Sequence, residues 1–68
     1  MKTGIYYCKK FYSDQVRKGF YYRIKKSNSA IKTFAYIEML EPYEHIYISE
    51  QTLKEHFTFD KVIDFEPV

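Results

Sequence analysis

Cysteine, glycine and long apolar runs are all scarce in this chain of 68 residues. The only cysteine, Cys8, cannot form an internal disulfide. With Gly4 and Gly19 as the only glycines, no glycine-rich loop is present to cradle a phosphate. No apolar run approaches the roughly 20 residues of a transmembrane helix, and the one that follows Lys2 is too short for a secretory signal. We therefore expect a protein of a reducing, aqueous compartment, the cytoplasm.

Acidic residues are nearly absent from the first half of the chain. Residues 1–34 carry nine Lys and Arg against one acid, Asp14, whereas residues 35–68 carry eight Asp and Glu against Lys54 and Lys61. The two halves thus have net charges of +8 and −6, which the total of +2 conceals. Such an asymmetry steers association with partners but specifies no chemistry.

Catalytic and metal-binding motifs are missing as well. Cys8, His45 and His56 are the only thiol and imidazole side chains. A Cys–His dyad needs an orienting third group and an oxyanion site, and the sequence indicates neither. One Cys and two His that lie eleven residues apart match no closed zinc site. We expect no enzymatic activity, no cofactor, no metal and no small-molecule substrate.

Aromatic side chains are abundant, with eight Tyr and six Phe. A chain this short buries only about 60% of the surface that it exposes when unfolded. Each buried ring removes about 150–250 Å² from water, so aromatic residues take the place of crosslinks. We expect one ordered domain over residues 1–68.

Apolar and polar residues alternate with period two, which indicates a mostly β protein. The predicted strands span 4–12, 20–26, 31–40, 45–48 and 59–65, with a brief turn at 13–15, a loop at 26–30 and a proline turn at 41–44. Ser49 has the character of a helix N-cap, and Leu53 and Phe57 share one helix face. We expect His56 beside Phe57 at the end of this short helix.

The second strand defines the predicted core and surface. Its inward side chains are Phe20, Tyr22 and Ile24, and its outward side chains are Tyr21, Arg23 and Lys25, joined by Lys10 and Tyr12 from the first strand. Phe20→Ala is then expected to cost about 3–5 kcal/mol of stability. Tyr21→Ala is expected to leave folding nearly intact.

Five meandering antiparallel strands with one helical turn before the last predict a small five-stranded β-barrel. Three stretches carry a further likeness: 17–24 with Lys18, Gly19 and Tyr22, the aromatic 34–37, and 45–49 followed by Leu53 and Phe57. Their patterns, Lys-Gly-x-x-Tyr and Ile-Ser-x-x-x-Leu-x-x-x-Phe, resemble those of small SH3-like barrel proteins of phages and mobile elements of Gram-positive bacteria. The resemblance covers about residues 4–66. It implies an SH3-like barrel of phage or prophage origin without catalytic residues.

Three surface features compete as the functional site. Cations beside rings on the second strand suit nucleic acid, although solvent-facing alternation also explains them. Spaced carboxylates suit a mimic of nucleic acid, or they pair with the basic half; they are Glu38, Glu41, Glu44, Glu50 and Glu55. One small core cannot enclose all the tyrosines. Those left at the surface suit a protein interface, or they lie flat over the aliphatic parts of neighbouring side chains. The set is Tyr6, Tyr12, Tyr21, Tyr36, Tyr43 and Tyr47.

The surplus of tyrosine favours a module that binds another protein, or a second copy of itself, and that modulates a host protein if a phage encodes it. The candidate partner-binding residues are Tyr12, Arg17, Lys18, Tyr21, Arg23, Lys25, Tyr36 and Tyr47. The alternative is nucleic-acid binding through Arg17, Lys18, Tyr21, Arg23, Lys25 and Lys26. No membrane partner is expected.

Overall fold

A computed structural model describes residues 1–27, 34–40 and 42–62 of the chain. Within these ranges lie five β-strands and one α-helix. They are β1 (Gly4–Cys8), β2 (Tyr21–Lys26), β3 (Ala35–Leu40), β4 (Tyr43–Ile48), α1 (Glu50–His56) and β5 (Phe57–Val62). The mostly β class and the single short helix before the last strand are confirmed for the described residues.

The five strands form one open antiparallel sheet in the order β4-β3-β2-β1-β5. The first four strands follow each other as a meander, and β5 returns to pair with β1 on the far side. In the described part of the chain no ladder joins β4 to β5. Residues 28–30 of the predicted loop, 31–33 of the third predicted strand and 63–65 of the last lie outside the described residues.

The core lies against one face of the sheet and beneath α1. Its buried members are Tyr6, Cys8, Val16, Ile24, Ala35, Ile37, Ile48, Leu53 and Phe57. Ile24 and Ile37 are cross-strand partners at its centre, and both are fully buried. Tyr22 packs against the same cluster while Tyr21 is exposed. The predicted directions of Ile24, Tyr22 and Tyr21 are therefore confirmed.

Strand β1 is shorter than the predicted 4–12, and the face that it turns to the core carries Tyr6 and Cys8. It ends at Cys8. Tyr7 is the cross-strand partner of Tyr21, so the two share a face. Because successive side chains of a strand point to opposite faces, Tyr6 must then turn into the core. Its place in the register with β2 therefore makes Tyr6 a core residue and removes it from the surface set.

The chain between β1 and β2 forms a twelve-residue loop over residues 9–20, where the sequence predicts a brief turn. The amides of Tyr12 and Ser13 both donate to the carbonyl of Val16, at 3.1 and 3.1 Å. This tight turn carries Val16 into the core, where it is fully buried. Tyr12 also packs against the core, so its predicted position beside β2 is wrong, whereas Lys10 is exposed.

Phe20 is 54% exposed, so its predicted core position is wrong, and the large cost expected for Phe20→Ala no longer follows. It lies just before β2, where its carbonyl accepts a hydrogen bond of 2.9 Å from the amide of Cys8. The guanidinium of Arg17 lies 5.7 Å from the centre of its ring. The loop contributes Val16 to the core instead, which leaves the Phe20 ring at the surface.

Ser49 caps α1 as predicted. Its hydroxyl oxygen accepts a hydrogen bond of 3.1 Å from the amide of Thr52, which satisfies a first-turn donor. Leu53 and Phe57 are both buried, so the predicted helix face is confirmed. Phe57 is already the first residue of β5, where the sequence predicts a start at residue 59. The helix therefore passes directly into the last strand.

Candidate functional site

The side of the sheet that faces away from the core gathers tyrosine, histidine and charge from three neighbouring strands. Register places Arg23 opposite Glu38 and Glu38 opposite His45, while Lys25, Tyr36 and Tyr47 form the next row. Directly opposed residues of antiparallel strands project from the same face. We call this surface the outer face; it consists of Tyr21, Arg23, Lys25, Tyr36, Glu38, Leu40, Tyr43, His45 and Tyr47.

Four rings of the outer face pack on one another and form what we call the ring cluster: Tyr36, Tyr43, His45 and Tyr47. The His45 ring stacks on Tyr36, with centroids 4.1 Å apart and planes inclined by 25°. Tyr43 and Tyr47 meet His45 edge to face at 5.3 and 6.2 Å. Such offset and edge-on arrangements are favourable for aromatic pairs. The imidazole therefore holds three phenol rings in fixed orientations.

A carboxylate lies beneath the ring cluster. The side chain of Glu38 is only 10% exposed, and its Oε1 lies 3.8 Å from a guanidinium nitrogen of Arg23 and 3.6 Å from the ammonium of Lys25. This oxygen accepts no hydrogen bond within the described ranges. Its burial is tolerable because two cations flank it and the other oxygen, Oε2, is hydrogen-bonded.

Tyr43 links this carboxylate to the imidazole. Its hydroxyl donates to Glu38 Oε2 at 3.3 Å and lies 3.0 Å from Nε2 of His45. A phenol has one proton to donate, so the contact with His45 requires that Nε2 carry hydrogen and donate to the phenol oxygen. The hydrogen bonds thus run in one direction, from His45 to Tyr43 to Glu38.

The pKa of the Tyr43 hydroxyl is raised above the ordinary phenol value of 10.0. Desolvation of the hydroxyl contributes most, followed by the negative charge of Glu38 and the hydrogen bond to it. A phenolate formed here would face that carboxylate, so the neutral phenol is favoured.

Glu38→Gln is therefore expected to lower the pKa of Tyr43 toward its ordinary value, because the amide carries no charge. The measurement is a titration of tyrosine ring carbon shifts by NMR. Tyr6 is the internal control, since burial raises the pKa of its phenol and Glu38 is not among the causes. An unchanged pKa at Tyr43 would contradict the contact with Glu38.

No family model, curated protein or solved structure matches this chain. The outer face must therefore be interpreted from its own chemistry.

The structure divides the predicted partner-binding residues between two places. Five of them share the outer face: Tyr21, Arg23, Lys25, Tyr36 and Tyr47. The other three, Tyr12, Arg17 and Lys18, belong to the loop of residues 9–20. Tyr12 packs edge to face on His56 at 5.2 Å and against the core. Only the first five are available to one docking surface on the sheet.

The predicted partner-binding residues do not include His45, and Tyr43 appears only in the wider set of surface tyrosines. The proline turn predicted over 41–44 includes Tyr43, yet β4 begins at this residue. The signal that identifies them is the period-two alternation of Tyr43, His45 and Tyr47 along β4, which places the three rings on one face of the strand.

Cys8 and His56 meet at one backbone oxygen. The thiol donates to the carbonyl of Lys10 at 3.2 Å, and Nδ1 of His56 lies 3.2 Å from the same oxygen. His56 ends α1 beside the ring of Phe57, at 6.5 Å, as predicted. Cys8 is fully buried, so these contacts fasten the start of the loop to the end of the helix.

The described residues contain no group of three or more His, Cys, Asp or Glu side chains arranged to hold a metal ion. A helix with the length and apolar character to cross a membrane is likewise not found among them.

Proposed function

We propose that this chain is a non-enzymatic module that binds another protein through the outer face. The observation that carries the proposal is the state of its tyrosines: Tyr43 and Tyr47 are 63% and 50% exposed, yet each packs against His45. Exposed rings in fixed orientations are a prepared contact surface.

Binding energy at protein interfaces is concentrated in a few residues, among which tyrosine and arginine are enriched. A tyrosine that is already held by its neighbours loses little conformational freedom when a partner covers it. Tyr36 and Tyr47 lie 5.6 Å apart across β3 and β4, and Leu40 adds exposed apolar area at the end of β3. Together they provide exposed apolar area on both sides of the row that holds Glu38 and His45.

The charges of the outer face favour a protein over nucleic acid as its partner. Arg23 and Lys25 both approach the carboxylate of Glu38. A phosphate at either cation would also meet this buried negative charge, which opposes it. Tyr36 and His45 already stack on each other, so the stacked faces of these two rings are not open to a base.

The strand order supports the resemblance to small SH3-like barrels. The element order of four strands, a short helix and a last strand is the one expected from the sequence, and the last strand returns to pair with β1. We extend the proposal to a closed SH3-like barrel in which β4 and β5 approach each other. A phage or prophage origin and action on a host protein belong to the same proposal and rest on the resemblance. Residence in the cytoplasm also belongs to it and rests on the single thiol of the sequence.

The proposal is tested by capture with matched variants. Immobilised parent protein, Tyr47→Ser and Gln51→Ser are exposed to a Gram-positive lysate in high salt, and retained proteins are identified by mass spectrometry. Gln51 is an exposed residue of α1, away from the outer face. We expect the parent and Gln51→Ser to retain the same protein. Tyr47→Ser should bind that protein about 30-fold more weakly, as expected when a hot spot worth about 2 kcal/mol is removed.

Sedimentation of the same three proteins distinguishes a different protein from a second copy of this chain as the partner. A dimer of the parent that Tyr47→Ser dissociates would identify a second copy as the occupant of the outer face. Equal retention of every captured protein by Tyr47→Ser and the parent, with monomers throughout, would contradict the proposal. Melting curves establish that each variant is folded.

A further inference from the structure

A second surface with different chemistry lies on the loop of residues 9–20. The loop is held at both ends and in its middle. Gly19 donates to the carbonyl of Cys8 at 2.8 Å, and Lys9 donates to the carbonyl of His56 at 2.8 Å. Fully buried Val16 anchors the middle. The loop thus presents its outer side chains from a fixed backbone.

The hydroxyl of Tyr22 adds a clamp between the loop and the sheet. It accepts a hydrogen bond of 3.0 Å from the amide of Arg17 and donates one of 3.3 Å to the carbonyl of Gln15. Because Tyr22 packs against the core, the segment that carries Arg17 and Lys18 is tied to the body of the domain.

Most exposed side chains of this loop are cations and rings, and Asp14 and Gln15 are exposed as well. The cations are Lys9, Lys10, Arg17 and Lys18, against Asp14 as the only acid, so residues 9–20 have a net charge of +3. Within the described ranges none of these four forms an ion pair. This distinguishes them from Arg23 and Lys25, which both approach Glu38.

Two exposed phenylalanines belong to the same loop. Phe11 is 57% exposed and Phe20 is 54% exposed. Each ring is flanked in sequence or in space by a cation: Phe11 follows Lys10, and the Arg17 guanidinium lies over Phe20. Solvent-exposed rings with unpaired cations beside them suit a ligand that carries both flat faces and negative charge.

We infer that the loop of residues 9–20 binds single-stranded nucleic acid, with phosphates against its four cations and bases stacked on Phe11 and Phe20. Proteins that bind single strands combine a positive surface that follows the backbone with rings on which bases stack. This site differs from the nucleic-acid site predicted on the second strand, because Arg23 and Lys25 of that strand already share the carboxylate of Glu38. It is also independent of the protein-binding outer face.

The geometry favours nucleic acid over an anionic lipid surface. Phe11 and Phe20 are both partly covered, and the loop backbone that carries them is hydrogen-bonded to Cys8, His56 and Tyr22. Insertion into lipid needs apolar side chains that project beyond the surrounding charge.

The test measures the fluorescence anisotropy of a labelled, mixed-sequence single-stranded oligonucleotide over a range of salt concentrations. Four phosphate contacts predict that log K falls with log salt with a slope of about −3. Lys9→Gln with Lys10→Gln, and separately Arg17→Gln with Lys18→Gln, are each expected to halve that slope. The control is Lys54→Gln, which removes an exposed cation of α1 that pairs with Glu50 and should leave the slope unchanged.

Phe11→Ala and Phe20→Ala test the rings separately from the charges. Each is expected to weaken binding about 5- to 150-fold with little change of slope, because a stacking contact is lost and no cation is removed. Both residues are exposed, so melting temperatures close to the parent are expected, and either variant alone suffices if the other is unstable.

Three results would overturn the inference. The first is no binding at low salt. The second is binding that the phenylalanine and loop-cation variants leave unchanged. The third is binding of phosphatidylglycerol vesicles without binding of the oligonucleotide, which would assign the loop to a lipid surface.

Discussion

Phe57→Ala is expected to destabilise the fold by about 3–5 kcal/mol, the usual cost of removing a buried aromatic ring. Phe57 is 4% exposed, joins α1 to β5 and packs edge to face against Tyr22 at 6.3 Å. The loss is comparable to the whole stability of a marginal domain, about 5 kcal/mol. Urea denaturation should therefore show a much lower midpoint or a chain that is already unfolded.

Phe20→Ala is the matched control, because the chemical change is the same and the ring is exposed. We expect a loss below about 1 kcal/mol, from the contact with Arg17 alone. Equal losses for the two variants, or a larger one at Phe20, would show that the assignment of buried and exposed phenylalanines is wrong.

Gly4→Ala is expected to cost about 1–3 kcal/mol or more, as overpacking does in a tight site. A methyl group at this position would overlap the backbone carbonyl oxygen of Lys61 and lie 3.1 Å from the ring of Phe59. The pairing of β1 with β5 shifts register between Ile5 and Tyr6, next to this point. Glycine in a strand often marks such a close approach of a second backbone.

Hydrogen exchange identifies the cause of that loss. In Gly4→Ala the amides of β5 should exchange faster, since the added methyl pushes β5 away. Gly19→Ala is the control: no atom lies within 4 Å of the added methyl, but φ is +96°, so its cost of about 1–2 kcal/mol comes from backbone strain alone. Unchanged exchange in β5 of Gly4→Ala would contradict the close approach.

The features that the sequence predicts correctly are those that neighbouring residues determine. Alternation around Ile24 identifies β2 and its inward side, and the hydroxyl of Ser49 with Leu53 four residues later identifies the helix start. Alternation does not decide which face of β1 is buried, because the pair Tyr6 and Cys8 is as apolar as the pair Ile5 and Tyr7. Only pairing with β2 decides between them.

Two long-range effects shaped the parts of the site that the sequence does not reveal. Val16 enters the core from the loop, which extends the loop to residue 20 and leaves Phe20 at the surface. Register places Glu38 between Arg23 and Lys25, and this pairing is not encoded within either strand. By contrast, the common face of Tyr21, Arg23 and Lys25 follows from alternation alone.

The charge asymmetry of the sequence separates into two parts in the structure. The basic strand β2 lies beside β3, and their charges meet at Glu38. The cations of residues 9–20 have no ion-pair partner among the described residues. The first part makes a nearly balanced surface for a protein partner, and the second leaves positive charge for an anionic ligand.

Surface mapping of the tyrosine rings tests most directly whether the outer face is the free side of the sheet. A soluble paramagnetic agent added to protein with labelled tyrosine broadens the NMR signals of accessible rings. We predict strong broadening for Tyr21, Tyr43 and Tyr47 and protection for Tyr6. Broadening of Tyr6 with protection of Tyr47 would mean that the sheet packs its other face inward, which would contradict the proposed binding surface.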